Sequence, residues 1–138
     1  MRKAIQSVLD KELSPMQRML CGNLAQKIEE AIESRRRMDH CLATALVAKG
    51  CTVQVICEGE ELCEFTDNVD ELVESIRSVD DCELLVRPHP RSEYHGWIMF
   101  TNWNDDDESI CDYTCSDQSQ FLVAIIEQDL PNIYQYPT

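Results

Sequence analysis

The chain has 138 residues and a mass of 15.9 kDa, so we expect a single domain, spanning residues 1–138, with a hydrophobic core of its own. Hydrophobic residues make up 43% of the chain and charged residues 28%, a composition that excludes disordered and fibrous proteins. The 26 acidic and 12 basic side chains give a formal net charge of −14. This sign argues against direct nucleic-acid binding, which needs cations that replace the counterions of phosphates.

The sequence carries no signal for export or for insertion into a membrane. No apolar stretch reaches the length of a membrane span, and the residues after Met1 do not resemble a signal peptide. We therefore expect a cytoplasmic protein that contacts neither a membrane nor a nucleic acid directly.

The N-terminal part, residues 1–50, is predicted to be helical and weakly basic. Ser14-Pro15 is a typical helix start, and apolar residues then recur at helical spacing up to the three arginines that end the segment 15–36. Asp39 is predicted to cap a second helix that ends before Gly50. Because the apolar pattern almost runs through, one continuous helix is the alternative.

The chain changes to the spacing of β-strands at Cys51. Alternating apolar residues predict a strand over 51–57, followed by a turn at Glu58-Gly59-Glu60 and a returning strand over 61–65. Residues 67–79 are predicted to form an amphipathic helix, with Asp67 as its N-cap.

Three more strands and a helix complete the predicted fold. The strands are expected over 82–87, 94–101 and 109–114, and Ser116 or Asp117 begins a last helix that Pro131 ends. This order predicts an α+β domain, in which the helical N-terminal part precedes the acidic residues 51–138. Those residues form an antiparallel sheet of about five strands, with one inserted and one C-terminal helix.

The eight cysteines are predicted to be reduced thiols, and no metal or other cofactor is expected. Their spacing is poor for a zinc site, and several share the phase of core-facing apolar residues. The best catalytic set is Cys111 and Asp112 with His95 one strand away. An activated thiol needs electropositive surroundings, whereas the surroundings here are acidic, so no residue is assigned a catalytic role.

The negative charge lies almost entirely in the second part of the chain. Residues 1–50 hold nine basic and six acidic side chains, a net charge of +3, whereas residues 51–138 hold three and twenty, a net charge of −17. Such asymmetry is typical of an interaction surface. The alternative is an acidic face that only keeps the protein soluble.

Three acidic segments are predicted to bind a partner. They are the hairpin, the helix after it and the turn after residue 101. Neighbouring carboxylates on one strand or helix face lie about 6 Å apart, a separation of the same order as that of phosphates along one nucleic-acid strand. The predicted partner-binding residues are Glu58, Glu60, Glu61, Glu64, Asp67, Asp70, Glu71, Glu74, Asp105, Asp106, Asp107, Glu108 and Trp103.

One pattern resembles a known group of proteins. The segment Gly96-Trp97-Ile98-Met99-Phe100, an Asn/Asp-rich turn and Ile110-Cys111-Asp112-Tyr113-Thr114 are similar to a pattern in small acidic proteins of bacteriophages and prophages. The resemblance covers roughly residues 45–125 and carries no catalytic residues. It implies a phage origin, with the host cytoplasm as the site of action.

These observations predict a non-enzymatic, phage-type inhibitor that binds a basic host protein, such as a defence component of the CRISPR kind or a transcription component, through a DNA-mimicking acidic surface. The alternative is a regulatory or assembly module that forms homodimers through its N-terminal helix. Its interface would be Leu20, Leu24, Ile28 and Ile32. A small enzyme with a Cys/His site is the third hypothesis.

Overall fold

The computed structural model describes residues 15–102 and 108–134. The chain divides into two units, of which the first ends at Arg35 and the second begins at Arg36. The described part of the first unit is helix α1, Pro15–Arg36, whose last residue already belongs to the second unit. The predicted cap residue, Ser14, lies outside the described residues, and one domain for the whole chain stays a prediction.

The chain forms two N-terminal helices rather than one continuous helix. Arg37 interrupts the helical path with an extended backbone (φ −69°, ψ 152°), and α2 follows as Met38–Ala48. The prediction that Asp39 caps α2 is wrong. Asp39 lies within the first turn and is only 2% exposed, because its carboxylate pairs with Arg77 of the next helix.

Helix α2 ends before Gly50, as the sequence predicted. This residue has a φ of +82°, which glycine adopts without strain. Its N–H donates to the carbonyl of Val47, and the N–H of Cys51 donates to that of Leu46. These two hydrogen bonds form a Schellman motif, which satisfies the last carbonyls of the helix.

The second unit is built on one antiparallel sheet, which confirms the α+β prediction. Its strands are β1 (Thr52–Cys57), β2 (Glu60–Glu61), β3 (Asp81–Arg87), β4 (Gly96–Thr101) and β5 (Ile110–Tyr113). They lie in the order β2-β1-β3-β4-β5, and helix α3, Val69–Arg77, connects β2 to β3. The sequence predicted this architecture but placed several boundaries too far out.

The returning strand of the first hairpin is shorter than predicted. Beyond β2, the N–H of Leu62 donates to Val55, and the next contact with β1 is the isolated bridge between Thr66 and Val53. Between these two contacts the segment after β2 advances four residues, whereas β1 advances only two. The surplus residues bulge out of the ladder, so the segment does not continue as a strand.

Helix α3 begins later than predicted, and its cap is Asn68 rather than Asp67. The Oδ1 atom of Asn68 accepts a hydrogen bond from the N–H of Glu71 at 3.0 Å. Asp67 is exposed and precedes the helix. An asparagine one residue further on satisfies the same donor, since Asn and Asp are equally good caps.

The C-terminal helical segment continues past Pro131, contrary to the prediction. It consists of a 3-10 turn (Asp117–Ser119), α4 (Gln120–Ala124), a π-helical turn (Ile125–Asp129) and α5 (Leu130–Tyr134). The N–H of Leu130 donates to the carbonyl of Ile125, five residues back. This turn resets the register, so the proline falls in the first turn of α5, where a missing N–H is tolerated.

The sheet has an inner and an outer face. The helices of the second unit pack on the inner face, where Phe100, Ile98 and Leu84 are at most 1% exposed. The side chains of Leu122 and Phe121 lie against Gly96 on this same face. The residues that alternate with these on the strands belong to the outer face and are not part of the core. The apolar residues of the outer face are Ile56, Leu85, Trp97 and Met99.

Candidate functional site

A groove of about 710 Å³ opens at one end of the sheet. Strands β1 and β3 meet there, because Ile56 pairs with Glu83 and the chain turns back immediately after Cys57. The groove also reaches Met99 on β4 and Cys111 on β5. Paired strands and the short turns between them position the residues that line the groove, so the groove is part of the sheet itself.

Four carboxylates line this groove, and none of its described lining residues is basic. They are Glu58, Asp80, Asp81 and Glu83. Strand alternation directs Asp81 and Glu83 outwards while Cys82 between them is buried. We call this surface the acidic groove.

The wall of the acidic groove is fixed by hydrogen bonds from Asn102. Its side-chain amide donates to the carbonyls of Ile76 and Val79, at 2.6 and 2.7 Å. Its backbone N–H donates to the carbonyl of Asp80. The end of β4 therefore holds the end of α3 and the start of β3 in one arrangement, and Asp80 is held with them.

A second, smaller hollow of about 350 Å³ adjoins the acidic groove. It lies between α3 and the segment after β2, and Leu62, Glu71 and Glu74 are among the residues that line it. Ser78 lines both depressions, which makes them neighbours. The exposed face of α3 and the end of the sheet thus form one acidic region.

The structure places the predicted partner-binding residues in different parts of this region. Glu58 lines the acidic groove, and Glu71 and Glu74 line the smaller hollow. The remaining described residues are exposed but line neither depression: Glu60, Glu61, Glu64, Asp67, Asp70 and Glu108. Trp103, Asp105, Asp106 and Asp107 lie outside the described residues.

The predicted set omitted three of the four carboxylates of the acidic groove. Asp80, Asp81 and Glu83 follow α3 in the sequence, whereas the predicted set consists of residues before and within that helix and in the turn after residue 101. The alternation of β3 indicates that Asp81 and Glu83 point away from the core. Their proximity to Glu58 follows only from the β1–β3 register.

Two cysteines that line the acidic groove, Cys57 and Cys82, are neutral thiols. Burial, and then the neighbouring Cys57 and Asp81, raise the pKa of Cys82 to about 12. Desolvation and the carboxylates of Glu58 and Asp81 also raise the pKa of Cys57. Both thiols are therefore protonated at neutral pH and are poor nucleophiles and metal ligands. Within residues 15–102 and 108–134, no group of three or more potential ligands is arranged to hold a metal ion.

The Cys/His pair of the enzyme hypothesis does not form. Cys111 lies at a β-bulge, where the pairing of β4 and β5 shifts between Met99 and Phe100. His95 precedes the other end of β4. Over this stretch of strand the two residues are separated by about 15 Å, which is too far for proton transfer between their side chains.

Helix α1 exposes part of the predicted dimer interface. Leu20 and Leu24 are 60% and 59% exposed, while Ile28 and Ile32 are half-buried. Met16, one turn before Leu20, is 70% exposed. A contiguous apolar stripe on a helix surface is typical of a binding interface.

No protein-family model, curated protein or solved structure matches this chain. None of the helices in the described parts of the chain has both the length and the apolar character of a membrane span.

Proposed function

We propose that this protein is a non-catalytic, phage-type inhibitor that binds a basic, nucleic-acid-handling protein of the host cell through its acidic region. The observation that carries the proposal is the acidic groove, where four carboxylates lie on a rigid end of the sheet. The smaller hollow adds Glu71 and Glu74 beside it. Together they form a negative surface on β3, α3 and the turns beside them.

The arrangement suits a partner whose own ligand is a nucleic acid. Asp81 and Glu83 are two residues apart on one strand, so their carboxylates repeat at about 6.6 Å. Arginine and lysine side chains that bind phosphates also bind carboxylates, and arginine does so with two parallel hydrogen bonds. The net charge of −17 on residues 51–138 steers such a partner to the surface.

The proposal is tested by capture from bacterial lysate on the immobilised full-length chain. We expect basic proteins to be captured at low ionic strength and released by added salt, because the attraction between exposed charges is screened. Duplex DNA should also release them, since it competes for the same basic cleft. Captured proteins that duplex DNA does not displace would contradict the proposal.

A charge-matched pair of variants shows whether the acidic groove is the contact. Glu58→Gln with Glu83→Gln removes two charges from the groove and should reduce capture at least about tenfold. The control, Glu93→Gln with Asp117→Asn, removes two exposed charges elsewhere. Equal capture by both double variants would mean that only net charge matters.

The exposed stripe of helix α1 supports a second candidate function, self-association. Met16, Leu20 and Leu24 are all at least 59% exposed, and a twofold mate would bury them. Sedimentation at micromolar concentration should then give twice the mass of 15.9 kDa. Leu24→Glu should split the dimer, whereas Gln26→Glu, an exposed site on the opposite side of the helix, should not. A monomer at all concentrations rules this candidate out.

A further inference from the structure

The outer face of the sheet carries apolar side chains that do not belong to the core. Leu85 lies directly opposite Trp97, and both are only half-buried. Met99 is 39% exposed. The helices of the second unit pack on the inner face, where the core is continuous. This face therefore presents apolar atoms that the inner-face core does not cover.

One row of residues crosses this face with alternating chemistry. Ile56 pairs with Glu83, Glu83 pairs with Met99, and Met99 pairs with Asp112. Neighbouring strands lie about 4.8 Å apart, so an apolar and an acidic side chain alternate at that spacing. We call these four residues the outer-face row. Ile56, Glu83 and Met99 also line the acidic groove.

We propose that the outer-face row docks a basic helix of the partner protein that lies across the strands and alternates leucine and arginine on its contact face. The inference rests on the proposed function and names the contact surface and the chemistry of the partner segment. One turn of a helix advances about 5.4 Å, close to the spacing of the row. A helix that presents leucine and arginine alternately, once per turn, therefore covers Met99 and Ile56 with apolar atoms. Its arginines then meet Glu83 and Asp112.

Charge complementarity favours such a partner over a second copy of this chain. The apolar stripe of helix α1 repeats Met16, Leu20 and Leu24 at four-residue spacing, so each turn of this face carries an apolar residue. Laid along the row, this stripe would cover Glu83 with leucine and desolvate its carboxylate without a partner. A helix with an arginine at that turn avoids this penalty.

The probes are two synthetic peptides of about four helical turns with the same composition. In the alternating peptide, arginine and leucine alternate along one face of the helix, one residue per helical turn. In the striped peptide, the leucines form one continuous face and the arginines occupy the other. Fluorescence anisotropy of each labelled peptide, titrated with the full chain, gives the dissociation constants. We expect the alternating peptide to bind at least about tenfold more tightly, because only it pairs every charge.

Two variants test the row itself. Met99→Gln keeps the shape of an exposed side chain but removes its apolar end, and Glu83→Gln removes one charge. Each should weaken the alternating peptide about fivefold or more, and Glu83→Gln should also reduce the salt dependence. The matched controls are Met19→Gln, at an exposed methionine of α1, and Glu93→Gln, at an exposed carboxylate that lines neither depression; both should bind unchanged. Circular dichroism confirms that each variant is folded.

The outcomes separate this inference from the proposed function. Equal binding of the two peptides, weakened equally by every charge variant, overturns the outer-face row and leaves the charge-led function standing. Failure of both peptides to bind at low salt overturns this inference alone, because the capture experiment decides the proposed function. Tighter binding of the striped peptide refutes the alternating contact face. Tighter binding of a peptide of residues 15–37 than of either probe assigns the surface to a second copy and refutes a basic partner helix. Unchanged affinity in Met99→Gln also refutes it.

Discussion

Removing Arg77 should expose how much of the stability depends on one ion pair. The carboxylate of Asp39 is 1% exposed and accepts hydrogen bonds from Arg77 Nε at 2.7 Å and from its Nη2 at 2.9 Å. The N–H of His40 donates to the same carboxylate at 2.7 Å. This pair joins α2 to α3, and the substitution Arg77→Met leaves a buried charge with one backbone donor and the more distant Arg37, 3.8 Å away.

The magnitude follows from the geometry. Removing one partner of a buried ion pair costs about 3–5 kcal/mol. The side chain of Arg77 is 28% exposed, so water partly replaces it and the loss should lie near the lower end, about 3 kcal/mol. Urea unfolding followed by circular dichroism measures this free energy. Arg91→Met, at an exposed arginine, is the control and should be nearly neutral.

A double variant separates the ion pair from general damage. Asp39→Leu with Arg77→Met replaces both charges by apolar side chains, so no unpaired carboxylate remains. It should be more stable than Arg77→Met alone, since the two changes are coupled. The reasoning is refuted if Arg77→Met loses less than about 1 kcal/mol, or if the double variant loses the sum of the single losses.

Three further predictions concern packing and the thiols. Gly96→Ala should lower the free energy of unfolding by about 1–3 kcal/mol, because the added Cβ would lie 2.9 Å from Cδ2 of the buried Leu122; an unchanged urea midpoint contradicts this. Stability should fall above pH 9, because burial raises the folded-state pKa of Cys51 to about 11 and of Cys82 to about 12, and the unfolded chain therefore loses these protons first. Cys82→Ala should reduce that fall, as urea unfolding at pH 8 and pH 10 will show. Alkylation of the native protein at pH 8, read by mass spectrometry, should modify the exposed Cys111 and spare Cys82 until denaturant is added.

Periodicity predicted the fold class because burial is periodic. The alternation around Cys82 and Leu84 and the glycine at residue 50 each reflect a local rule, and the structure follows them. The prediction errors occur where contacts with residues distant in the sequence determine the local structure. Asp39 reads as a cap locally, but it pairs with Arg77, 38 residues away. The π-helical turn that accommodates Pro131 likewise has no sequence signal of comparable strength.

The acidic groove shows the same division. A prediction from local spacing found Glu58, Glu71 and Glu74, because each lies in a conspicuous acidic run. It did not associate Glu58 with Glu83, which come together only when β1 and β3 pair in one particular register. Such a register depends on the whole hydrophobic pattern of both strands rather than on any short motif.

Fixed carboxylates of like charge also allow structural and functional roles to be told apart. Glu83 and Asp81 point to one side of β3, and Glu58 lines the same groove, so their repulsion opposes folding. If a charge stabilises the fold, its removal should lower the free energy of unfolding. Glu83→Gln should instead raise the free energy of unfolding by about 0.5 kcal/mol at low salt, and the gain should shrink as salt screens the repulsion. The same substitution should weaken binding of the alternating peptide, because the rigid groove presents its charges to a partner without further ordering. Urea unfolding of Glu83→Gln beside the control Glu93→Gln decides the matter. A loss of stability in the first variant would assign Glu83 to the fold and not to a binding surface.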